Sequence, residues 1–533
     1  MHPTGRHKRL KRWPLNWGHA LSQSLFVPAR SVQTRRAANG PTLPRTPRRC
    51  RMSEPSGSLM ALQARHGPRY RWLLLLSLMV GTMASIMSST IINVAIPDMS
   101  LHFALGQERA QWVSSGFMVA MTASMLTTPW LLARYGYQRV YAGCMLLLLA
   151  GGVVGGLASD FNLVIAARLA EGLAAGVVQP IPAIVILRAF EPHQQGRASG
   201  IFGMGVVLAP ALGPSVGGVL VDFFGWRSIF FMVVPLCLLS LWMAWKFVPD
   251  SAPGGAAAAR GQALDWRGLL IGTAGTLCLL NGLTDLGQHA LQGAALLAAA
   301  AALFAGFVGW QRRLAAAGGE PLVDLSLFQV RSFAMGSVVA FIYGTALFGS
   351  TYLLPVYMQL GLGLSASHVG TILLPAGLVL ALTIAVVGRL ADRQPSWMLV
   401  SVGLALLAAS FALMVTVTLS SPLLLLVAWA ILGRIGLGFV LPSLNLGAMR
   451  ALDRSLIAQG ASAINFLRML GGAAGVSLCA IVLEWRIAAH GDSLAQAATS
   501  AARLAAFNEV FLMLAAICAL ALGAALQLKE PVK

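Results

Sequence analysis

Arg168 and Glu171 stand three residues apart inside the largely apolar run 163–187. In a helix that spacing places both side chains over one face. A cation and an acid held together there admit two roles. They can face a cavity and take part in proton exchange, or they can form an ion pair that holds their helix against its neighbours. Both readings stay open. At 1.5 Å per residue from a start near Asn162, Arg168 lies about 9 Å into the helix and Glu171 about 14 Å. Asp98, Asp222, Asp285 and Glu509 all fall near the ends of apolar runs. Glu171 is therefore the one acid well inside such a run, and with Arg168 it is the candidate for proton coupling. Arg434 carries the same two readings, as does Arg468, which sits between Asn465 and Gly471-Gly472. Asn93, Tyr343, Arg434, Asn465 and Arg468 are the candidates to line a substrate path. For Asn93, a hydrogen bond between helices is the commoner use. Tyr352, Tyr357 and Gln359 are further aromatic and polar groups, the last two expected at the outer membrane interface.

Other chemistries lack their residues. The nine histidines are scattered, mostly in the tail and loops, and no nucleophile, base and orienting group converge in the sequence, which argues against an intramembrane enzyme. There is no phosphate-binding glycine loop of the kind that drives ATP pumps. The cysteines are Cys50, Cys144, Cys237, Cys278, Cys479 and Cys518, without a C-x-x-C pair. They read as small apolar residues rather than disulfides or metal ligands. No metal and no cofactor is expected.

The elements that must position these groups follow from composition. The chain has 533 residues, 57% apolar and 11% charged, whereas soluble domains carry about 25% charged residues. Too few ionisable groups remain to cover a water-facing surface, so lipid must be the main solvent. The net charge is +20. Residues 1–51 supply twelve Lys and Arg with no acid, among Pro, Gly and Ser without a helical or strand period. That segment reads as a solvated disordered tail rather than a nucleic-acid site. It also resembles a transit peptide, and Met52 or Met60 is an alternative start.

Fourteen stretches approach the length of a spanning helix: 73–96, 111–132, 140–158, 163–187, 199–221, 229–247, 268–284, 294–310, 333–357, 368–388, 397–418, 423–445, 460–483 and 510–526. The seventh and eighth are the weakest, being short and rich in Ala and Gly. Arginines cluster in alternate gaps, from Arg134 and Arg139 through to Arg450 and Arg454, which places those gaps and both termini in the cytoplasm. The two ends of the chain also echo each other. Arg168 and Gly172 form R-x-x-x-G in the fourth span, followed later by Gln195-Gly196-Arg197-Ala198-Ser199; Arg434 and Gly438 repeat it in the twelfth, followed by Gln459-Gly460-Ala461-Ser462. The second span ends in Trp130 to Arg134, and the tenth in Arg389-Leu390-Ala391-Asp392-Arg393. The expected organisation is thus a tail at 1–69, a six-helix half at 70–250, a linker with two inserted helices at 251–332, and a second six-helix half at 333–533. Repeated halves around a central site are a transporter architecture.

Several motifs in this order point to one family. Ser89 to Pro97 (STIINVAIP) occupy the first span, and Gln111-Trp112-Val113 open the second. Ala209-Pro210-Ala211-Leu212-Gly213-Pro214-Ser215-Val216-Gly217-Gly218 lie in the fifth, with Asp222 and Trp226-Arg227 just beyond. Pro321 to Leu325 precede the ninth span, and Gly388 to Arg393 follow the tenth. Over residues 70–528 the sequence resembles the fourteen-span drug:proton antiporters of the major facilitator superfamily, the EmrB/QacA type. The resemblance implies an all-α polytopic fold of fourteen helices arranged six, two and six. It implies proton-coupled export of a small amphipathic or toxic compound by alternating access from a bacterial inner membrane, in contact with lipid, and a periplasmic adaptor protein is a candidate partner. Export of a specific metabolite, or transport without ion coupling, is the rival reading within the same fold.

In the fifth span Gly205, Ala209, Gly213 and Gly217 recur every four residues and share one face, where small residues let backbones approach closely. Pro214 frees a backbone carbonyl within that run. The resemblance makes Gly205, Gly213, Pro214, Gly217 and Gly218 a conformational motif, and Arg134, Gly388, Asp392 and Arg393 a cytoplasmic loop motif. Two positions depart from the family pattern: Ser88 stands where a carboxylate is usual, and Ala133 replaces an acid that the second copy keeps as Asp392.

Overall fold

The computed structural model describes residues 59–105, 107–250, 263–287, 289–492 and 500–529. Most of the expected tail lies outside the described residues, as does most of the linker at 251–264. Every regular element among the described residues is helical. Lipid offers no hydrogen bonds to a backbone, and a helix satisfies its own N–H and C=O groups locally.

The helices are α1 (Leu59–His66), α2 (Tyr70–His102), α3 (Gln107–Met125), α4 (Thr128–Tyr135), α5 (Tyr137–Leu157), α6 (Phe161–Val178), α7 (Ile181–Ala189), α8 (Gln195–Phe224) and α9 (Ser228–Phe247). They continue with α10 (Trp266–Asp285), α11 (Ala290–Ala316), α12 (Arg331–Val356), α13 (Ala366–Leu390), α14 (Ser396–Met414), α15 (Leu423–Met449), α16 (Ile457–Ala489) and α17 (Ala501–Ala525). α1 falls within the stretch that composition assigns to the tail, and it is helical. Two expected spans are each built from two helices. α3 and α4 are bent by 58° at their junction, where Pro129 occupies the first turn of α4. α6 gives way to α7 at Gln179-Pro180. Proline lacks the N–H that would continue the ladder, so both breaks have a local cause.

Each of the fourteen apolar stretches has a helical counterpart, but they do not all qualify as spans. Among the described residues eleven helical stretches are long and apolar enough to cross a membrane, or twelve if the bent α3–α4 pair counts as one. α10 is outside that set. In α10, Gly268, Gly272, Gly275 and Gly282 together with Asn281 and three threonines dilute the apolar character.

Packing sorts the helices into groups. α2 packs on α8 and α9, α3 on α6, and α5 on α6 and α9. α12 packs on α15, α16 and α17, and α14 on α15 and α17. α10 and α11 form a hairpin, with α10 also touching α3 and α16. α8 and α13 join the two larger groups, lying side by side. Small residues permit this. A Cβ at Gly200 would fall 2.7 Å from the Gly388 Cα, so the two backbones meet there. A Cβ at Gly172 or Gly176 has no room against the Phe117 and Met121 carbonyls of α3.

Candidate functional site

Glu171 and Arg168 are both 1% exposed and lie on the buried face of α6. Nη1 of Arg168 donates to Glu171 Oε2 at 2.5 Å and to Ser88 Oγ at 2.8 Å. Ser88 in turn donates from Oγ to the same carboxylate oxygen at 3.0 Å. Nε of Arg168 donates to the Val113 carbonyl of α3 at 3.1 Å, and its guanidinium lies 4.2 Å from the centre of the Phe117 ring. Three helices, α2, α3 and α6, thus converge on one cation and one acid. Glycine makes the room: Gly151 of α5 lies against the Glu171 side chain, and a Cβ there would come within 2.5 Å of its Cγ. Glu171 Oε1 and Arg168 Nη2 have no hydrogen-bond partner among the described residues. Both side chains are closed off from solvent.

Ser88 was legible only as the place where a family carboxylate is absent. It sits 83 residues from Glu171 and bridges both members of the pair, a contact that no local spacing announces. Phe117 links this cluster to the other side of the molecule, packing with Met121, Met125, Ala175 and Met469. Met469 neighbours Arg468 on α16.

The second group forms on α12, α15 and α16. Nη2 of Arg468 donates to Asn465 Oδ1 at 2.7 Å, and Asn465 Nδ2 donates to the Ala461 carbonyl at 2.8 Å. Tyr343, 1% exposed, lies within electrostatic reach of both Arg434 and Arg468. Arg468 and Asn465 line a narrow cavity of about 50 Å³ together with Gln179, Ser199, Phe202 and Asn445. Its walls come from the α6–α8 region on one side and α15 and α16 on the other. The cavity is far smaller than the roughly 300–1,000 Å³ of drug-sized sites, so the bundle must open to admit one. Ser199 was legible only as the last residue of the repeated Gln195-to-Ser199 motif, and Gln179 and Asn445 carried no signal beyond being polar groups in apolar surroundings.

Asn93 is placed apart from both groups. It is exposed on α2 and makes no hydrogen bond among the described residues. Tyr357 packs inside the protein. It opens a π-helical turn, Tyr357–Gly361, and is fully buried against Phe507 and Phe511. Gln359, next but one, is exposed.

The small-residue face of α8 lies on α2. A Cβ at Gly205 would meet Met79 Sδ at 2.5 Å, one at Gly213 would meet Thr90 Oγ1 at 2.7 Å, and one at Gly217 would meet Ile91 Cγ1 at 2.6 Å. Gly218 lies off this face, with nothing within 4 Å. The helix runs unbroken through Pro214. At the N-terminal end of α8, Asp392 accepts from the backbone N–H groups of Gly196 at 2.6 Å and Arg197 at 2.9 Å. A carboxylate beside the first N–H groups of a helix satisfies orphan donors and complements the positive end of its dipole. Near this end, Arg188 Nη2 donates to the Arg454 carbonyl at 2.8 Å. Arg134 and Arg393 are exposed, and the Arg134 guanidinium lies 5.7 Å from the Trp130 ring centre. Among the described residues no three His, Cys, Asp or Glu gather as metal ligands would.

Residues 78–476 match the family described as the Major Facilitator Superfamily. The chain belongs to the major facilitator superfamily. As a superfamily member it is an integral multi-pass membrane transporter and not an enzyme. It is 29% identical over 435 residues to a multidrug resistance protein B homolog of Mycobacterium tuberculosis (strain ATCC 25618 / H37Rv), covering 78% of this chain and 77% of that one. It is 27% identical over 411 residues to multidrug resistance protein 3 of Bacillus subtilis (strain 168), covering 76% and 78%. The fold is similar to the crystal structure of the human organic anion transporter MFSD10 (TETRAN), with a TM-score of 0.60 and 15% identity over 85% of this chain and 99% of that one.

Proposed function

We propose that this superfamily member is a proton-coupled exporter of small amphipathic or toxic compounds, of the fourteen-span EmrB/QacA type. It works by alternating access in a bacterial inner membrane, with both termini cytoplasmic. Relatives named as multidrug resistance proteins, matched over about three quarters of each chain, support export of this kind. The observation that carries the coupling is the buried acid Glu171, one oxygen of which is held by Arg168 and Ser88 while the other has no partner among the described residues.

In this reading protonation of Glu171 removes the negative charge that balances Arg168. The guanidinium then needs another acceptor, and α6 shifts against α2 and α3, which supply the remaining contacts. Deprotonation restores the pair. Because α8 sits between α2 and α13, that motion reaches the end where Asp392 caps α8. Opening there requires the Asp392 and Arg188 contacts to break. The membrane-embedded bundle is surrounded by lipid, and a periplasmic adaptor protein is the partner to seek by co-purification from membranes.

The test is accumulation of an amphipathic dye in cells with and without the protein, before and after a protonophore. Lower accumulation that the protonophore reverses is the expected result. Lowered accumulation that persists without the gradient overturns coupling and leaves uncoupled export. Unchanged accumulation across a chemically diverse dye panel overturns the exporter reading.

A further inference from the structure

We infer that the transported molecule is an amphipathic anion, and that Arg434 and Arg468 receive its oxyanion group; this rests on the exporter reading above. The two ends of the chain place one arginine each in R-x-x-x-G, Arg168 in α6 and Arg434 in α15. Their surroundings differ in one respect that matters. Three residues on, α6 has Glu171, which pairs with Arg168. At the same offset α15 has Leu437. Arg434 makes no hydrogen bond or ion pair to any described residue. Among the described residues Arg468 has only the amide oxygen of Asn465, and Asn465 is itself fixed by its bond to the Ala461 carbonyl. No carboxylate among the described residues is paired with either guanidinium.

Two cations in the interior of a membrane bundle are costly, and such charges are ordinarily paired with one another or with carbonyls. Arginine cannot escape the cost by losing its proton at ordinary pH. The second group therefore holds about two positive charges that no described carboxylate balances, whereas the first balances its own. Both arginines line gaps: Arg468 the cavity between the two helix groups, and Arg434 a smaller one with Ser350, Ser410 and Phe411. Tyr343 lies within reach of both charges. Guanidinium groups bind carboxylate, sulfonate and phosphate through parallel N–H donors, while Phe202, Leu441 and Met449 in the cavity wall suit an apolar body. A lipophilic cation would meet like charge there.

The oxyanion has two sources, an exported solute or an anionic phospholipid headgroup, and the experiment separates them. The purified protein in phosphatidylcholine nanodiscs is titrated with fluorescein and with rhodamine 6G, which share a ring system and differ in charge; empty nanodiscs correct for partition. Fluorescein is expected to bind at least about tenfold more tightly. Arg434→Gln and Arg468→Gln are each expected to weaken fluorescein by about tenfold or more, the worth of one charge-assisted hydrogen bond. Arg→Lys at either position keeps the charge and should retain more affinity than Gln, which guards against misfolding as the cause. Adding phosphatidylglycerol should leave fluorescein binding unchanged; if it abolishes binding, the site belongs to lipid and the inference falls. Equal or tighter rhodamine binding, no binding of either dye, or fluorescein binding unaffected by both Gln variants also overturns it. Gradient-driven uptake of both dyes into proteoliposomes separates the two readings. Rhodamine export without fluorescein binding sinks the anion site alone, and fluorescein binding without transport of either dye sinks the exporter.

Discussion

Glu171, Arg168 and Ser88 form one unit, and replacing any of them exposes what the others do. Glu171→Gln keeps the shape and removes the titration. Proton-driven export is expected to be lost while the protein still reaches the membrane at normal abundance; intact gradient-driven export in everted vesicles would remove Glu171 as the coupling site. Ser88→Ala addresses the bridge. Ser88 accepts from Arg168 and donates to Glu171, so its loss leaves buried donor and acceptor capacity unmet, at a cost of about 1–3 kcal/mol. Thermal unfolding in detergent should show a lower midpoint for Ser88→Ala, and an unchanged midpoint would mean that the bridge contributes nothing. Spacing in α6 made the Arg168–Glu171 pair legible, because residues three apart on a helix must be neighbours. Ser88 was not legible as their partner, since the contact depends on how α2 lies against α6.

The helices show why small residues recur where they do. α8 has one face against α2, at Gly205, Gly213 and Gly217, and another against α13, at Gly196 and Gly200. A helix that must slide between two neighbours has no space for side chains on either face. Gly213→Leu is therefore expected to give a protein that inserts but does not transport, since the new side chain would run into Thr90. Gly218→Ala is the matched control, because nothing lies within 4 Å of its Cβ position, and its transport should stay at the wild-type rate. Wild-type transport in Gly213→Leu, with equal membrane abundance, would refute the close-packing role. The four-residue period of this face was visible in the sequence. Its partner helix was not, nor that Gly218 points elsewhere.

At the scale of the whole molecule, the arrangement of arginines in alternate loops makes a topological prediction. Cysteines introduced singly at Gly255 and Lys533 should react with an impermeant thiol reagent only from the cytoplasmic side, and one at Ser493 only from outside. The native cysteines must first be removed; Cys237, Cys479 and Cys518 are buried, so small apolar residues are the replacements that keep the packing. Labelling of position 255 from outside would overturn the fourteen-span orientation. The same scale governs the opening motion. Asp392 of one helix group caps α8 of the other, so the two groups cannot separate at that end without exposing the first N–H groups of α8.

The sequence by itself determined that this chain lives in lipid, where its helices run, and that an acid lies deep in one of them. These are local matters. A backbone in hydrocarbon must close its hydrogen bonds within a few residues, so apolar runs announce helices; the breaks beside Pro129 and Pro180 were not legible, since Pro97, Pro235, Pro355, Pro375 and Pro442 lie inside unbroken helices. The tertiary structure alone decided which side chains meet. Ser88 with Arg168, and Asp392 with the start of α8, join residues on different helices. Such meetings depend on crossing geometry and on the glycines that let backbones touch, and neither hydropathy nor period encodes them. The balance of charge was decided there too: the sequence shows three arginines and one acid in apolar runs, and only packing shows that Arg168 is matched by Glu171 while neither Arg434 nor Arg468 has a carboxylate partner among the described residues.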